Sequence, residues 1–440
     1  MAAVARKLYA WLMWAIQPLL RRKLARRGRV EAGYLEAVDE RFGFYTQAPE
    51  ARAELVWLHA VSLGETRTAG ILLKALRAQW PGLRVLLTHG TATGRAEGAS
   101  LLRAGDVQVW QPWDSEAAVA RFFSHFKPRL GLLMETEVWP NTVAGAQAQG
   151  VPLALVNARM SEKSLRQAMR MALLSRPAFA ALSAVYAQSD SDAQRLRVLG
   201  AKVQGVFGNL KFDATPDPAQ QAQGRAWRQA PARPVLLLAS AREGEEDSFI
   251  KEIKALALMG RAQSATKTIA TAKPQILIVP RHPQRFDEVC GLIEKHGLSV
   301  SRRSSWKGAP QATDVWLGDS LGEMALYYAM SDVALLGGSF APLGGQNLIE
   351  AAAGGCPVIM GPHTFNFAEA AELALATGAA YRAADMADAV RSAQALLADR
   401  QAQQAAATAS LQFAAQHRGA AANTVKALAP LLEAKSLFTV

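Results

Sequence analysis

Short apolar runs that each stop at a glycine or a polar cluster, and then give way to a helical pattern, recur along the whole 440-residue chain. In the first half the runs are ELVWLHAV (54–61), 84–88, 107–110, 129–134, 153–156 and 185–187, followed by SLGE, HGTATGR, QPWD, ETEVWPN, NARMSEKS and QSDSDAQRL. In the second half they are 234–240, 275–279, 314–317, 332–336 and 357–360, followed by REGEED, PRHP, GDSLGEM, GGSFAPLGGQNLIE and GPHTFNF. Buried strands alternating with helices specify an α/β fold with a doubly wound parallel sheet. The length exceeds what one core sustains, so the reading is two Rossmann-like domains with a cleft between them. A polar stretch with four prolines, 211–234, interrupts the alternation. The expected division is a basic, apolar N-terminal segment over 1–34, a first domain over 35–210, a linker over 211–233, and a second domain with C-terminal helices over 234–440. The polar segment 259–273 reads as a surface loop or a helix extension, with no role assigned.

Charge is concentrated at the start of the chain. Of the net +12, the residues Arg6, Lys7, Arg21, Arg22, Lys23, Arg26, Arg27 and Arg29 supply +8 before the first acid, Glu31. They flank the apolar run LYAWLMWAIQPLL (8–20), a pattern that favours a membrane surface over nucleic acid. Thirteen helical residues reach about 20 Å, short of a hydrocarbon core of roughly 30 Å. The expectation is an interfacial helix with Trp11 and Trp14 at headgroup depth and arginines on anionic lipid. The alternative is a soluble helix packed on the first domain. Two cysteines, Cys290 and Cys356, and scattered histidines argue against a disulfide framework or a dedicated zinc site, so no metal is expected.

Ligands of doubly wound sheets gather beyond the carboxyl ends of the strands, where the polar clusters of this chain fall. The glycine-rich turn 337–350 opens onto a helix whose free N–H groups suit a phosphate, and Glu350 one turn further suits a ribose. A tight strand-to-helix turn built only for close packing has the same residues. His59, Ser62 and Glu65 follow the first strand. Glu65 near a helix N-terminus is either a general base held ionised or a capping acid. The same letters, AVSLG, form a variant nucleophile elbow on Ser62, the signature of a serine hydrolase. Glu135 and Glu137 follow a buried strand and require a polar cleft or a basic partner. Arg281 is placed to clamp a phosphate or to form a surface ion pair. Ser240 and residues 318–323 add polar groups at strand ends.

Taken together, HAVSLGE, ETEVWPN, NARMSEKS, ASAREGEE, PRHP, GDSLGEM, GGSFAPLGGQNLIE and GPHTFNF resemble, in this order, the 3-deoxy-D-manno-octulosonic acid (Kdo) transferases of lipopolysaccharide synthesis. The resemblance implies a membrane-associated, inverting glycosyltransferase of the GT-B type. It would move Kdo from CMP-Kdo to a lipid A precursor at the cytoplasmic face of the bacterial inner membrane, without cofactor or metal and without nucleic acid. Glu65 matches the family's general base, and Glu135 and Glu137 an acidic motif beside it. Ser240, Arg281, Gly338, Ser339, Gly344, Gly345, Asn347 and Glu350 fall on the donor side. The chain departs from the family in Gln346, where histidine is usual, in Ala239, where glycine is common, and in Arg242, whose position often differs. Another GT-B enzyme using a UDP-sugar is the nearest alternative.

Overall fold

The structure is a computed structural model and describes residues 1–51, 54–229, 233–263 and 273–433. Two compact units divide the chain: residues 1–213 together with 418–440, and residues 214–417.

The first unit contains β1 (Leu55–His59), β2 (Arg84–His89), β3 (Val107–Trp110), β4 (Leu130–Met134), β5 (Leu153–Ala158), β6 (Ala184–Ala187) and β7 (Val203–Val206). They form one parallel sheet in the order β3-β2-β1-β4-β5-β6-β7. Side chains alternate across a strand, so β1 feeds two cores. Leu55 and Trp57 pack with Phe122, Phe123 and Leu133 on one face, where the Trp57 ring meets Phe122 edge-on at 5.0 Å. Val56 and Leu58 pack with Leu72, Leu76 and Leu132 on the other. Burial on both faces is why these strands read as continuous apolar runs.

The second unit repeats the plan with β8 (Val235–Ala241), β9 (Gln275–Pro280), β10 (Val300–Arg302), β11 (Val315–Leu317), β12 (Val333–Leu336), β13 (Val358–Met360) and β14 (Ala380–Arg382). Their order is β10-β11-β9-β8-β12-β13-β14, again all parallel. Three edge strands, β7, β10 and β14, have no counterpart among the expected runs. Each is short and half-exposed, so it lacks the buried apolar signature of a central strand.

Three expected boundaries need correction. The helix Ala420–Glu433 belongs to the first unit, not to the second. Its apolar face, Val425, Leu428 and Leu432, seals the core beneath Val56 and Leu58, and Asp213 receives the N–H groups of Gly419 and Ala421 at 2.5 Å each. The expected linker carries a helix, Pro218–Arg228, capped by the Asp217 side chain. Pro218 starts it, because proline at the first helical position loses no hydrogen bond. Gly224 lets that helix sit on Met324–Ala329: a Cβ there would stand 2.4 Å from the Leu326 carbonyl oxygen. The N-terminal apolar run is not one helix but two, Ala2–Ala15 and Gln17–Gly28, joined at Ile16. Among the described residues no helix is long and apolar enough to cross a membrane. Residues 264–272 of the unassigned polar segment lie outside the described residues.

In both sheets the chain first fills one side of its first strand and then returns to build on the other. The return falls between β1 and β4 in the first unit, and between β8 and β12 in the second. At the second switch, β8 and β12 approach so closely that a Cβ on Gly337 would lie 2.4 Å from the Ser240 carbonyl oxygen and 2.6 Å from that of Ala239. Backbone cannot yield as a side chain can. Gly337→Ala should therefore destabilise the second unit by about 1–3 kcal/mol, seen in calorimetry as a lower melting temperature for that unit with the first unit's transition unmoved.

Candidate active site

The first switch point is built from the turn after β1. Ser62 caps the helix Leu63–Gln79, its Oγ accepting the Glu65 N–H at 3.4 Å. The Glu65 carboxylate reaches back, accepting the Val61 N–H at 2.8 Å and the Ser62 hydroxyl at 3.1 Å. This reciprocal arrangement is close to a capping box. Glu65 is thus a capping acid, as one reading of the sequence had it, and capping fixes where its carboxylate stands. The turn is clamped from the other side. The Val61 carbonyl accepts the N–H groups of Gly90 and Thr91 and the Thr91 hydroxyl at 3.1, 3.0 and 2.9 Å. Sequence reasoning gave HGTATGR no role. Its Gly94 is the signal, because a Cβ there would sit 2.8 Å from the Val61 oxygen.

Two more acids come from the end of β4. Glu135 takes up a left-handed backbone, φ 54°, and its N–H donates to the Val156 carbonyl on β5 at 3.1 Å. Its carboxylate faces the half-exposed Arg159 at 3.8 Å. Glu137 accepts the Trp139 indole N–H at 2.9 Å and faces His59 Nε2 at 3.8 Å. His59 is buried, with Nδ1 against the Thr88 hydroxyl at 2.9 Å, and that hydroxyl also takes the Trp57 indole N–H at 2.8 Å.

Glu65, Glu135 and Glu137 share one electrostatic neighbourhood. Burial pushes the Glu65 carboxyl above the usual carboxylate value; the Val61 N–H opposes this, and the charges of Glu135 and Glu137 add to it. Burial also pushes Glu137 up, but His59 and Trp139 outweigh it and leave Glu137 below the usual value. The result is one acid that holds its proton tightly beside another kept ionised, the pairing that separates proton-transfer roles. Among the described residues the serine-hydrolase reading finds no histidine hydrogen-bonded to Ser62. Ser62 Oγ is spent on Glu65, His59 is turned to Thr88 and Glu137, and His89 binds the Ala60 carbonyl and the Thr66 hydroxyl. Burial drives the His89 ring down to a pKa of about 3.

The second switch point gathers most of the donor-side residues. Ser240, at the end of β8, has φ 54° and turns its hydroxyl to the Met324 sulfur at 3.8 Å. Arg281, just past β9, donates from Nε to Gln346 Oε1 at 3.3 Å, so the Gln346 amide is an acceptor for the arginine. Gly344 and Gly345 have φ 88° and 72°, and a Cβ on Gly344 would lie 2.4 Å from the Asn366 amide. Both glycines are required by conformation, not merely tolerated. Asn347 caps the short helix Leu348–Ala353 by accepting the Ile349 N–H at 3.1 Å, and Glu350 stands partly exposed in its first turn.

Gly338 and Ser339 are placed differently from the expectation that they offer groups to a ligand. The Gly338 N–H is taken by both oxygens of the buried Glu245, at 2.9 and 2.8 Å, and the same carboxylate accepts the N–H groups of Phe340 and Arg242 at 3.3 and 2.8 Å. Ser339 is fully buried; its hydroxyl donates to the Leu336 carbonyl at 2.5 Å and accepts the Gly361 N–H at 2.8 Å, tying the ends of β12 and β13. Asp319 of GDSLGEM is similarly committed, to Arg302 Nε at 2.7 Å and the Ser304 hydroxyl at 2.6 Å. Sequence reasoning missed Glu245, whose signal is an acid three residues after Arg242 across a glycine turn. It also missed the basic character of the site. Burial, and then the charges of Arg242, Arg281 and Arg285, hold the His282 ring below the usual histidine value.

The raised Glu65 carboxyl carries a linkage consequence. Its proton is held more tightly in the folded chain, so its share of stability is whole below the ordinary value of 4.5 and is lost as pH rises through the folded value. Glu65→Gln, neutral at every pH, should melt higher than the parent near neutrality, with the gap closing as pH falls into the ordinary carboxylate range; melting curves across pH read this directly.

The family described as 3-Deoxy-D-manno-octulosonic-acid transferase (kdotransferase) matches residues 36–214. A 3-deoxy-D-manno-octulosonic acid transferase of Bordetella pertussis is 49% identical over 433 residues, 97% of this chain and 99% of that one. Its counterpart in Haemophilus influenzae is 29% identical over 432 residues, 97% and 98% of the two chains. Among solved structures, a glycosyltransferase from Rickettsia africae ESF-5 is similar with a TM-score of 0.52 at 12% identity, covering 87% of this chain and all of that one, a likeness of fold alone. A match over 97% of the chain at close to half identity takes in nearly all of both α/β units, and on that ground this chain belongs to the 3-deoxy-D-manno-octulosonic acid transferase family, glycosyltransferases of the GT-B type.

Proposed function

We propose that this chain transfers Kdo from CMP-Kdo to a lipid A precursor in lipopolysaccharide biosynthesis, with inversion, and that Glu65 is the general base. The acceptor hydroxyl gives its proton to the Glu65 carboxylate as its oxygen bonds to the Kdo anomeric carbon. The bond from that carbon to the CMP phosphate oxygen breaks, and CMP leaves with the electron pair. The observation that carries this reading is the carboxylate group at the first switch point, where burial and two neighbouring acids raise the proton affinity of Glu65. Glu137, kept ionised beside His59, and Glu135 sustain the negative potential that makes Glu65 a better proton acceptor.

The leaving phosphate needs positive charge that is in place before the bond breaks. Arg281, the Ser240 hydroxyl, the Gly344–Gly345 turn and the helix start at Asn347 suit that task, with Glu350 on the ribose. Gly338 and Ser339 belong to this side as the parts that shape the loop. Glu65→Gln should lower the transfer rate by about 10²–10⁴-fold while calorimetry shows CMP binding within about twofold of the parent; near-normal turnover would overturn the role. Ser62→Ala should keep most of the activity and lose about 1 kcal/mol of helix capping, whereas a hydrolase nucleophile would abolish it.

The reading places the enzyme on the cytoplasmic face of the inner membrane, held through the helix Ala2–Ala15 and the residues after it. Val4, Leu8, Trp11, Leu12 and Leu19 recur at helical spacing and are exposed, Leu8 and Trp11 at 65% each, while Ala10 is buried against the first unit. Burial and a hydrogen bond to Asp114 raise the Tyr9 phenol, so the inward side of the helix is tethered. Exposed Arg22, Lys23, Arg26 and Arg29 sit beside the apolar face, an arrangement for anionic lipid in preference to nucleic acid. Replacing Leu8 and Trp11 together by serine should sharply reduce sedimentation with anionic vesicles while transfer to a detergent-dispersed acceptor continues; unchanged sedimentation would remove the face from membrane binding.

A further inference from the structure

Two arginines stand side by side at the carboxyl edge of the second sheet. Strands β8 and β9 pair with Ala241 opposite Pro280, and the Arg281 N–H continues the ladder to the Ala241 carbonyl at 2.9 Å. Arg242 and Arg281 are therefore the first residues beyond the ladder on neighbouring strands. After burial, the charges of both, with that of Arg285, lower the proton affinity of the His282 ring.

The arginines of this cluster differ in what already holds them. Arg285 is committed to Glu246 at 2.7 Å and Glu288 at 2.9 Å. Arg281 has the Gln346 amide oxygen at 3.3 Å. Arg242 is fixed at its backbone, where its N–H donates to Glu245 at 2.8 Å, and among the described residues its guanidinium has no carboxylate within 4.0 Å. Its Cγ stands 3.5 Å from the point a Cβ on Gly338 would occupy, and the Gln346 amide nitrogen stands 3.2 Å from the same point. A partly exposed cation, anchored at its base and unpaired at its tip, thus borders the glycine loop beside Arg281. The loop itself has little to offer a second anion there, because Glu245 already takes the N–H groups of Gly338 and Phe340.

We infer that in this chain Arg242 contributes to donor specificity by binding the carboxylate of the sugar acid, while Arg281 binds the phosphodiester. The inference rests on the CMP-Kdo reading above. A nucleotide-linked ulosonic acid carries two anions on adjacent groups, and one guanidinium cannot pair bidentately with both. A neutral sugar in the same place would leave Arg242 facing no charge, so the residue selects for an acid.

The test compares CMP with CMP-Kdo on the full-length enzyme. Arg242→Gln should raise KM for CMP-Kdo about tenfold or more, the loss of roughly one charge-assisted pair, while the Kd for CMP stays within about twofold and kcat at saturation changes little. Arg242→Lys should recover part of the KM, and Arg281→Gln should weaken CMP and CMP-Kdo alike. Retained CMP binding also shows that the variant is folded. Equal weakening of CMP and CMP-Kdo in Arg242→Gln, or no weakening of either, would overturn the assignment. Failure of the parent enzyme to bind both CMP and CMP-Kdo would instead overturn the donor reading on which it rests.

Discussion

A parallel sheet that is filled on one side of its first strand and then resumed on the other opens a crevice where the connections diverge, and both units depend on it. At each switch a residue other than glycine is held in a left-handed backbone at a strand end, Glu135 just after β4 and Ser240 within the end of β8, both at φ 54°. Such a conformation costs on the order of 1 kcal/mol or more, so it persists only where surrounding bonds fix it. Around Glu135 these run to Val156 and Arg159; around Ser240 the fixing element is the close approach of Gly337. The chemistry-bearing side chains of both units are set on this frame.

The two crevices carry opposite charge. In the first, three carboxylates lie close enough for one to raise the proton affinity of another. In the second, burial and then three arginines lower that of a histidine. An acid cluster suits the acceptance of a proton and a basic cluster suits a departing phosphate, the two charge changes that the proposed transfer requires. In each unit a glutamate near the start of the helix after the first strand, Glu65 or Glu245, takes up backbone N–H groups of a turn. The difference between them is their partners: Glu245 accepts the N–H groups of Arg242, Gly338 and Phe340, whereas Glu65 accepts one backbone N–H and one hydroxyl and has Glu135 and Glu137 for neighbours.

The central strands and the residues at their ends were legible because burial on both faces leaves an uninterrupted apolar run and an abrupt polar stop. The edge strands β7, β10 and β14 were not, since half-exposure removes that signal. Helix 218–228 was hidden by prolines that read as breakers, although Pro218 and Asp217 together start a helix. The destination of helix 420–433 was hidden too, because an amphipathic pattern states that a face is buried without stating against which sheet. Glu135 and Glu137 stand at the strand end where the apolar run stops, and their nearness to Glu65 was implied by the family resemblance and not by position alone. Gly338 and Ser339 do not act as their letters suggested, because residue type cannot reveal that Glu245, nearly a hundred positions earlier in the chain, consumes the turn's N–H groups. Arg242 was passed over as a variable position, and only its place beside Arg281 gives it weight.

The coupling among the three acids is the most exposed point of this account, and the pH dependence of kcat/KM for Kdo transfer measures it in the free enzyme. With Glu65 as the base, the acid limb of the parent should lie above the ordinary carboxylate value of 4.5, and Glu135→Gln, which removes a neighbouring negative charge, should move that limb to lower pH. An acid limb that stays in place in Glu135→Gln, or that already lies in the ordinary carboxylate range in the parent, would contradict it.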